Sequence, residues 1–402
     1  MKKFLATHFD LSNDKNIVCL TAISVFLPYY IGAVLLLAIV GYVLIKKNVK
    51  KDIFCHTGSF LIPVFCGLTF VVGTCHNNYF GMAVSAIVLL IFILGFYIRT
   101  VMTGEIFEKM LSYICAASVV TSALMIFERL FYLVFFGDPS HRCFGDFFGN
   151  KYLSFYFNPN YLSSVLAAVV IICAYKVILR KGDMRCYYAT AILAMIAIYF
   201  GGSMFAWAEV CFALAVYLFV GKHRRLLGVM FAICAAIGLS VYMIPDIFPR
   251  LADASMSWDA RMLIWELALS VIPQAFMFGK GFYSYRLLSY TPENLANPAC
   301  YPAFHAHNLV IEFLISFGFI GTLIFLAFVF ILFQKVFMHK QLLKKSQIST
   351  LIIAIMAGIL MHSILDMTML FIQPMMLYCL IFGGIGADEK VVYEIFEKRK
   401  QA

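Results

Sequence analysis

The 402-residue chain is 63% hydrophobic and 13% charged, with a formal net charge of +10 and a mean hydropathy of +0.90. A single water-soluble globule cannot bury so much apolar surface, because surface-to-volume scaling leaves most side chains of a folded domain partly exposed. The composition excludes such a globule and makes lipid the main solvent.

A helix needs roughly 20 predominantly apolar residues to cross the hydrocarbon core, and such runs recur along the whole sequence. In chain order they predict spans near residues 14–29, 31–45, 54–74, 80–98, 111–136, 155–179, 187–202, 204–220, 226–245, 307–334, 348–366 and 368–386. The expected fold is an all-α polytopic membrane protein of about twelve transmembrane helices, with residues 1–402 as one integral membrane domain. Pro28 marks either a kink in one long helix or a tight hairpin, and Gly201-Gly202 either a hairpin or a broken helix. The N-terminus turns polar at Ser12-Asn13-Asp14-Lys15 before any long apolar run and has no small-residue cleavage site. No removed signal peptide is expected.

Short cytoplasmic loops collect Lys and Arg. With the N-terminus inside, every basic cluster falls on the cytoplasmic side: Lys46-Lys47 with Lys50-Lys51, Arg99 to Lys109, Arg180-Lys181 with Arg185, Lys222 with Arg224-Arg225, Lys340 with Lys344-Lys345, and Lys398-Arg399-Lys400. Both termini are then cytoplasmic, residues 387–402 form a cytoplasmic tail, and topology accounts for the net charge without nucleic-acid binding. The outer side keeps Arg142, Lys151, Arg250, Arg261, Lys280 and Arg286, with Arg129 near an outer membrane end. Most of the twelve cysteines sit within spans and read as small apolar groups. Cys143 and Cys300 both fall in outer segments, where an oxidising exterior could pair them.

Residues 246–306 form the long extracytoplasmic loop, and loops of that length are uncommon unless functional. Within it Met262, Trp265, Leu269 and Ile272 recur at helical spacing, with Trp258 and Trp265 suited to a membrane interface. An amphipathic helix on the outer surface is expected. Arg261, at its start, is either an interfacial anchor or an anion ligand. Gly279-Lys280-Gly281 lacks the spacing of a phosphate loop and reads as a tight turn returning the chain to the membrane.

The loop runs into His305-Ala306-His307-Asn308, the polar start of the next span. Unpaired first-turn amides and the helix dipole favour anions there, and a neutral His307 could accept a proton from a hydroxyl. Asn308 and Glu312 share one helix face, and an ionisable group one turn into a membrane suggests function. The alternative is a helix cap with a protonated or paired glutamate. A metal held by His305 and His307 is disfavoured, since residues two apart diverge on a helix and the sequence offers no evident third ligand. His305 reads as a loop residue. Gly318 and Gly321 offer small surfaces for close helix packing.

Taken in order, Arg261 and Trp265 on a short helix, Gly279-x-Gly281, then His307-Asn308 with Glu312, Gly318 and Gly321 resemble the core of the O-antigen ligase and polymerase superfamily. The resemblance is strong over residues 255–325. Upstream, Phe157-Asn158-Pro159-Asn160-Tyr161-Leu162 looks like that family's Pro-Asn motif at the outer start of a middle span, and His362 and Asp366 fit more weakly. One departure stands out: where many members carry Ser-Arg, this chain reads Ser203-Met204-Phe205. Arg142 or Arg286 would have to supply the missing cation.

The resemblance implies a GT-C-like fold and a bacterial inner-membrane enzyme that transfers a glycan from an undecaprenyl-pyrophosphate carrier to an acceptor sugar hydroxyl, with inversion and without a metal or other cofactor. It implies catalytic roles for His307, as base or as phosphate-binding imidazolium, and for Arg261, as pyrophosphate clamp. Asn308, Glu312, Arg142, Arg286, Trp265 and Asn160 would bind substrate. The partners would be the lipid-linked oligosaccharide donor, a glycan or lipid A-core acceptor and membrane lipids, and a polymerase of the O-antigen or capsule type is slightly preferred over a ligase. A flippase of lipid-linked oligosaccharide that cleaves no bond is the alternative.

Overall fold

A computed structural model describes residues 10–49, 55–136, 158–244, 254–297, 300–343, 346–364 and 366–388. Among these residues there is no strand. Fifteen α-helices carry the argument: α1 (Asp14–Ser24), α2 (Tyr29–Lys46), α3 (Leu61–Cys75), α4 (Tyr79–Val101), α5 (Gly104–Phe136), α6 (Pro159–Ile178), α7 (Met184–Gly201), α8 (Met204–Val220), α9 (Arg224–Met243), α10 (Ala254–Val271), α11 (Ser284–Ser289), α12 (Pro292–Ala296), α13 (Leu309–Leu342), α14 (Gln347–Ser363) and α15 (Ile372–Phe382). Six of them, α2, α4, α5, α6, α7 and α13, are long and apolar enough to cross a membrane. The chain is an all-α integral membrane protein.

Each expected span contains a helix, but not always a crossing one. At roughly 1.5 Å rise per residue, the 11-residue α1 and α15 are too short to traverse the hydrocarbon core alone. Pro28 is the N-cap of α2 and separates it from α1. Gly202, in the left-handed region with φ 68°, caps α7. Beyond it the chain changes partners: α7 packs on α5 and α6, whereas α8 packs on α14 and α6.

The core is built around α6, whose apolar window is 83% buried. Asn158 starts it by accepting a hydrogen bond from Asn160 N, with Pro159 in the first turn, where a missing N–H costs nothing. At its far end the buried Lys176 pairs with Glu108 of α5 at 2.7 Å, and Glu108 also binds Lys181 at 2.6 Å. Lys176, Lys181 and Glu108 thus offset one another's charge.

The longest helix, α13, is broken. Gly318 adopts φ 62°, ψ −169° inside it, which leaves the carbonyls of Ile315 and Ser316 and the amides of Phe319 and Ile320 outside the helical ladder. In a membrane such groups need protein partners. The loop segment 276–281 supplies them: Lys280 N and Gly281 N donate to Ile315 O and Ser316 O at 2.9 and 2.8 Å, and Phe319 N and Ile320 N donate to Phe276 O and Met277 O at 2.7 and 3.0 Å. Two glycines make the approach possible. A Cβ on Gly279 would lie 2.4 Å from the Ser316 carbonyl, and one on Gly318 would lie 2.4 Å from Phe278 N. The expected return turn is therefore a backbone clasp on a helix break, and Gly318 serves the break rather than helix-to-helix packing. Asn78, the N-cap of α4, secures the clasp by donating to Phe282 O at 2.9 Å.

The amphipathic α10 is present, with its packing face rotated from expectation. Ile264 and Ala268 are buried against Tyr285, Ala303, Ala306 and Ile315, while Met262 and Leu269 are exposed. The helix is apolar on two sides, so hydrophobic spacing alone did not single out the side that meets protein. Met262 and Leu269 are left for lipid. Cys300 is a free cysteine, and Cys143 lies outside the described residues.

Candidate active site

Where the outer loop enters α13, backbone and side chains are tightly constrained. Asn308 is the N-cap: its Oδ1 accepts from Ile311 N at 3.0 Å, and its Nδ2 donates to Ile364 O at 2.9 Å. Glu312, one turn on, is buried and spends both oxygens on protein, accepting from Ala306 N at 2.8 Å and from Ser316 Oγ at 2.7 Å. Trp265 of α10 donates to Ala306 O at 3.0 Å. Three anchors therefore grip the segment 305–308, and His307 is held at φ 48°, a conformation rare for a residue with a Cβ. Asn308, Glu312 and Trp265 hold the loop in place.

Those anchors set His307 beside Asp366, which follows α14. His307 Nδ1 lies 3.1 Å from Asp366 Oδ1, and the side chains are 25% and 1% exposed respectively. Asp366 Oδ1 also accepts from Met367 N at 2.8 Å, and Oδ2 accepts from Asn160 Nδ2 at 3.2 Å. Burial alone would push the Asp366 carboxyl up, but His307, through charge and hydrogen bond, outweighs it and holds it well below the usual carboxylate range. Asp366 is thus a buried anion behind a partly exposed imidazole.

His305 is part of the same cluster and buried, not a bystander in the loop. Its Nδ1 accepts from His307 N at 3.1 Å, so its proton belongs on Nε2, which lies 3.7 Å from Asp366 Oδ1. Burial, helped by His307 and Arg261 and opposed by Asp366, pulls this imidazole down to about 3. It stays neutral at ordinary pH.

Arg261 reaches the cluster from α10. Its guanidinium sits over the Phe205 ring, 4.8 Å from the centroid, and the charges of Arg261 and Asp366 act on one another. Burial pulls the guanidinium down and Asp366 pulls it back up, yet arginine remains charged at any working pH. Phe205 follows the Ser203-Met204 at which the family arginine is missing, so an aromatic face from that segment supports the cation that α10 provides. Behind Phe205, the buried His362 and Glu209 lie 2.8 Å apart and join α14 to α8.

The remaining sequence-derived residues divide. Asn160 is in the cluster through Asp366. Arg286 stacks over Phe80 and over Phe304, the residue before His305, 4.9 and 5.5 Å from their centroids. Arg142 lies outside the described residues. Asp366 is the hub that sequence reading underweighted. The available signal was an aspartate just past the outer end of an apolar run, costly there without a purpose.

Asp366 also supplies the third metal ligand that the sequence did not reveal. Potential ligand atoms of His305, His307 and Asp366 lie within 4.8 Å of one another. The hydrogen bonds around them, however, form a closed set: His305 Nδ1 takes the His307 amide, and Asp366 takes Met367 N, Asn160 and His307. No cation is required to explain the burial of the carboxylate.

Residues 189–326 match a family model described as O-antigen ligase. The matched stretch runs from α7 into α13 and carries Arg261, the glycine clasp, His305, His307, Asn308 and Glu312. Asn160 and Asp366 lie outside it. No curated protein matches the chain.

Proposed function

We propose that this chain is a member of the O-antigen ligase and polymerase superfamily and a glycosyltransferase that moves a glycan from an undecaprenyl-pyrophosphate carrier to an acceptor sugar hydroxyl, at the outer face of a bacterial inner membrane. The observation that carries this reading is the His307–Asp366 pair at 3.1 Å with the Arg261 cation beside it. His307, held by Asp366 through Nδ1, has Nε2 with which to take the acceptor proton. The acceptor oxygen then attacks the anomeric carbon as the carbon–oxygen bond to the pyrophosphate breaks, inverting that centre. Undecaprenyl pyrophosphate leaves with the bonding electrons. Arg261 meets the developing phosphate charge with a planar fork, and Asp366 stabilises the imidazolium until His307 releases its proton to water.

In this reading the twelve apolar runs form a GT-C-like membrane bundle with both termini in the cytoplasm. Asn308, Glu312 and Trp265 position the catalytic loop, Asn160 orients Asp366, and Arg286 and Arg142 are the further outer cations available to donor phosphate. A polymerase extending a lipid-linked repeat of the O-antigen or capsule type is preferred over a ligase acting on lipid A-core. The test is turnover of undecaprenyl-pyrophosphate oligosaccharide by the purified chain in proteoliposomes. Free undecaprenyl pyrophosphate and a longer or transferred glycan are expected. Full turnover by folded Arg261→Ala or His307→Ala protein would overturn the assignment, as would movement of the oligosaccharide across the bilayer without bond cleavage.

A further inference from the structure

Below the site, α4, α13, α14 and α15 leave an apolar groove running toward the opposite membrane face. Its outer part has a cavity volume of about 100 Å³ and is lined by apolar residues including Leu309, Phe313, Leu370 and Met375. Phe92, Phe328, Leu332, Cys379 and Phe382 line this part and also a narrower continuation that ends at Arg99 of α4. These five shared side chains link the two parts, from the outer end of α13 to a cation at the inner end of α4.

That inner end is unusual in its charge. Lys335 of α13 lies close enough to Arg99 for the two like charges to oppose each other, and its Nζ donates to Thr57 O at 3.2 Å. On the same side, Lys15, Lys47, Lys176 and Lys181 are each paired with Asp14, Glu105 or Glu108. Among the described residues no carboxylate pairs with Arg99 or Lys335. Two partly buried cations at the mouth of an apolar groove are costly unless an anion reaches them. The anion must also bring an apolar chain, since the wall leading from Arg99 offers no other polar group.

We propose that the inner half of this groove binds an anionic glycerophospholipid from the leaflet at the Arg99 end, its phosphate on Arg99 and Lys335 and an acyl chain along Phe92, Phe328 and Phe382. A guanidinium fork grips phosphate bidentately, and Lys335 has two N–H donors beyond the one given to Thr57. An anionic leaflet supplies the ligand by electrostatic attraction as well as by contact. The site is independent of the glycosyl-transfer reading, since it lies at the far end of the groove from His307.

The test uses the full chain in phosphatidylcholine nanodiscs, with phosphatidylglycerol replacing phosphatidylcholine in steps. Melting temperature should rise with phosphatidylglycerol and saturate, and native mass spectra should show it retained. Arg99→Gln/Lys335→Gln should retain about tenfold less, as expected for loss of charged hydrogen bonds, and should melt no lower than wild type in pure phosphatidylcholine, because two opposed cations are gone. Lys46→Gln, removing an exposed cation away from the groove, should behave as wild type. If the double variant does not fold, each single variant reads the same loss. Wild-type retention by these variants, an equal loss in Lys46→Gln, or an equal melting shift on adding phosphatidylethanolamine would each overturn the proposal.

Discussion

His307 Nδ1 meets Asp366 Oδ1 at 3.1 Å across 59 residues of sequence, joining the start of one helix to the end of another. The imidazole is partly open and the carboxylate closed off, the arrangement a general base needs to keep one ring nitrogen oriented while the other works. Asp366→Asn should lower kcat by about 10²- to 10⁴-fold with donor binding little changed. His307→Ala should cost a similar factor, and the double variant little more, because the two groups act as a unit. Steady-state turnover with donor titration checks this, and Asp366→Asn within twofold of wild type would remove the pair from the chemistry.

Arg261 is a test of geometry as well as charge. Arg261→Ala should reduce turnover by about 10²- to 10³-fold, and Arg261→Lys should recover only a small part of it, because an ammonium cannot present the planar fork. Phe205→Leu, which removes the ring 4.8 Å beneath the guanidinium, should raise KM for the donor by a smaller factor. Full rescue by lysine would reduce Arg261 to a point charge at the interface.

Stability depends on the clasp between the loop and the broken helix. Gly318→Ala forces a Cβ into a positive-φ position 2.4 Å from Phe278 N, and should destabilise the fold by about 1–3 kcal/mol. Gly279→Ala should do the same against Ser316. Gly41→Ala, with nothing within 4 Å of the added carbon, should be neutral or slightly stabilising. Melting in nanodiscs ranks the three, and equal melting of Gly318→Ala and Gly41→Ala would show that the break does not need glycine.

The cluster of His305, His307 and Asp366 makes metal dependence directly measurable. Protein treated with a strong chelator and repurified should keep full turnover and an unchanged melting temperature. Loss of turnover restored by stoichiometric divalent metal would instead make His305 and His307 ligands and end the assignment of His307 as base.

The apolar helices were legible in the sequence because apolar run length is a local signal. The site was half legible. Arg261, Asn160 and His307 carry their chemistry in their own identity, so reading them needed no fold. Asp366 and His305 gained theirs only from pairing, which the packing of α13 against α14 creates. The same is true of Glu312: at one turn into a span it looked like a substrate ligand, yet folding commits both its oxygens to Ala306 and Ser316. The helix break at Gly318 was hidden because a glycine within an apolar run reads equally as a packing surface, and only the backbone of 276–281 reveals what it accommodates.

His305 gives the cluster a signature in stability. Unfolded, its imidazole takes up a proton near the usual 6.5; folded, it does so only at about 3. Between those values the unfolded chain binds more protons, so this residue makes stability rise with pH across the window and fall as acid is added. The slope for one proton is about 1.4 kcal/mol per pH unit. Asp366, depressed in the folded state, contributes stability that is present above its ordinary value of about 4 and is lost only below it, so above that value the difference between wild type and a His305 variant does not contain it. His305→Gln keeps an acceptor for the His307 amide but removes the titration, and its stability should fall less steeply than that of wild type between the usual histidine and aspartate values. Parallel wild-type and His305→Gln curves, from denaturant unfolding at stepped pH, would mean that His305 is hydrated in the folded protein and that the loop before α13 is open to water.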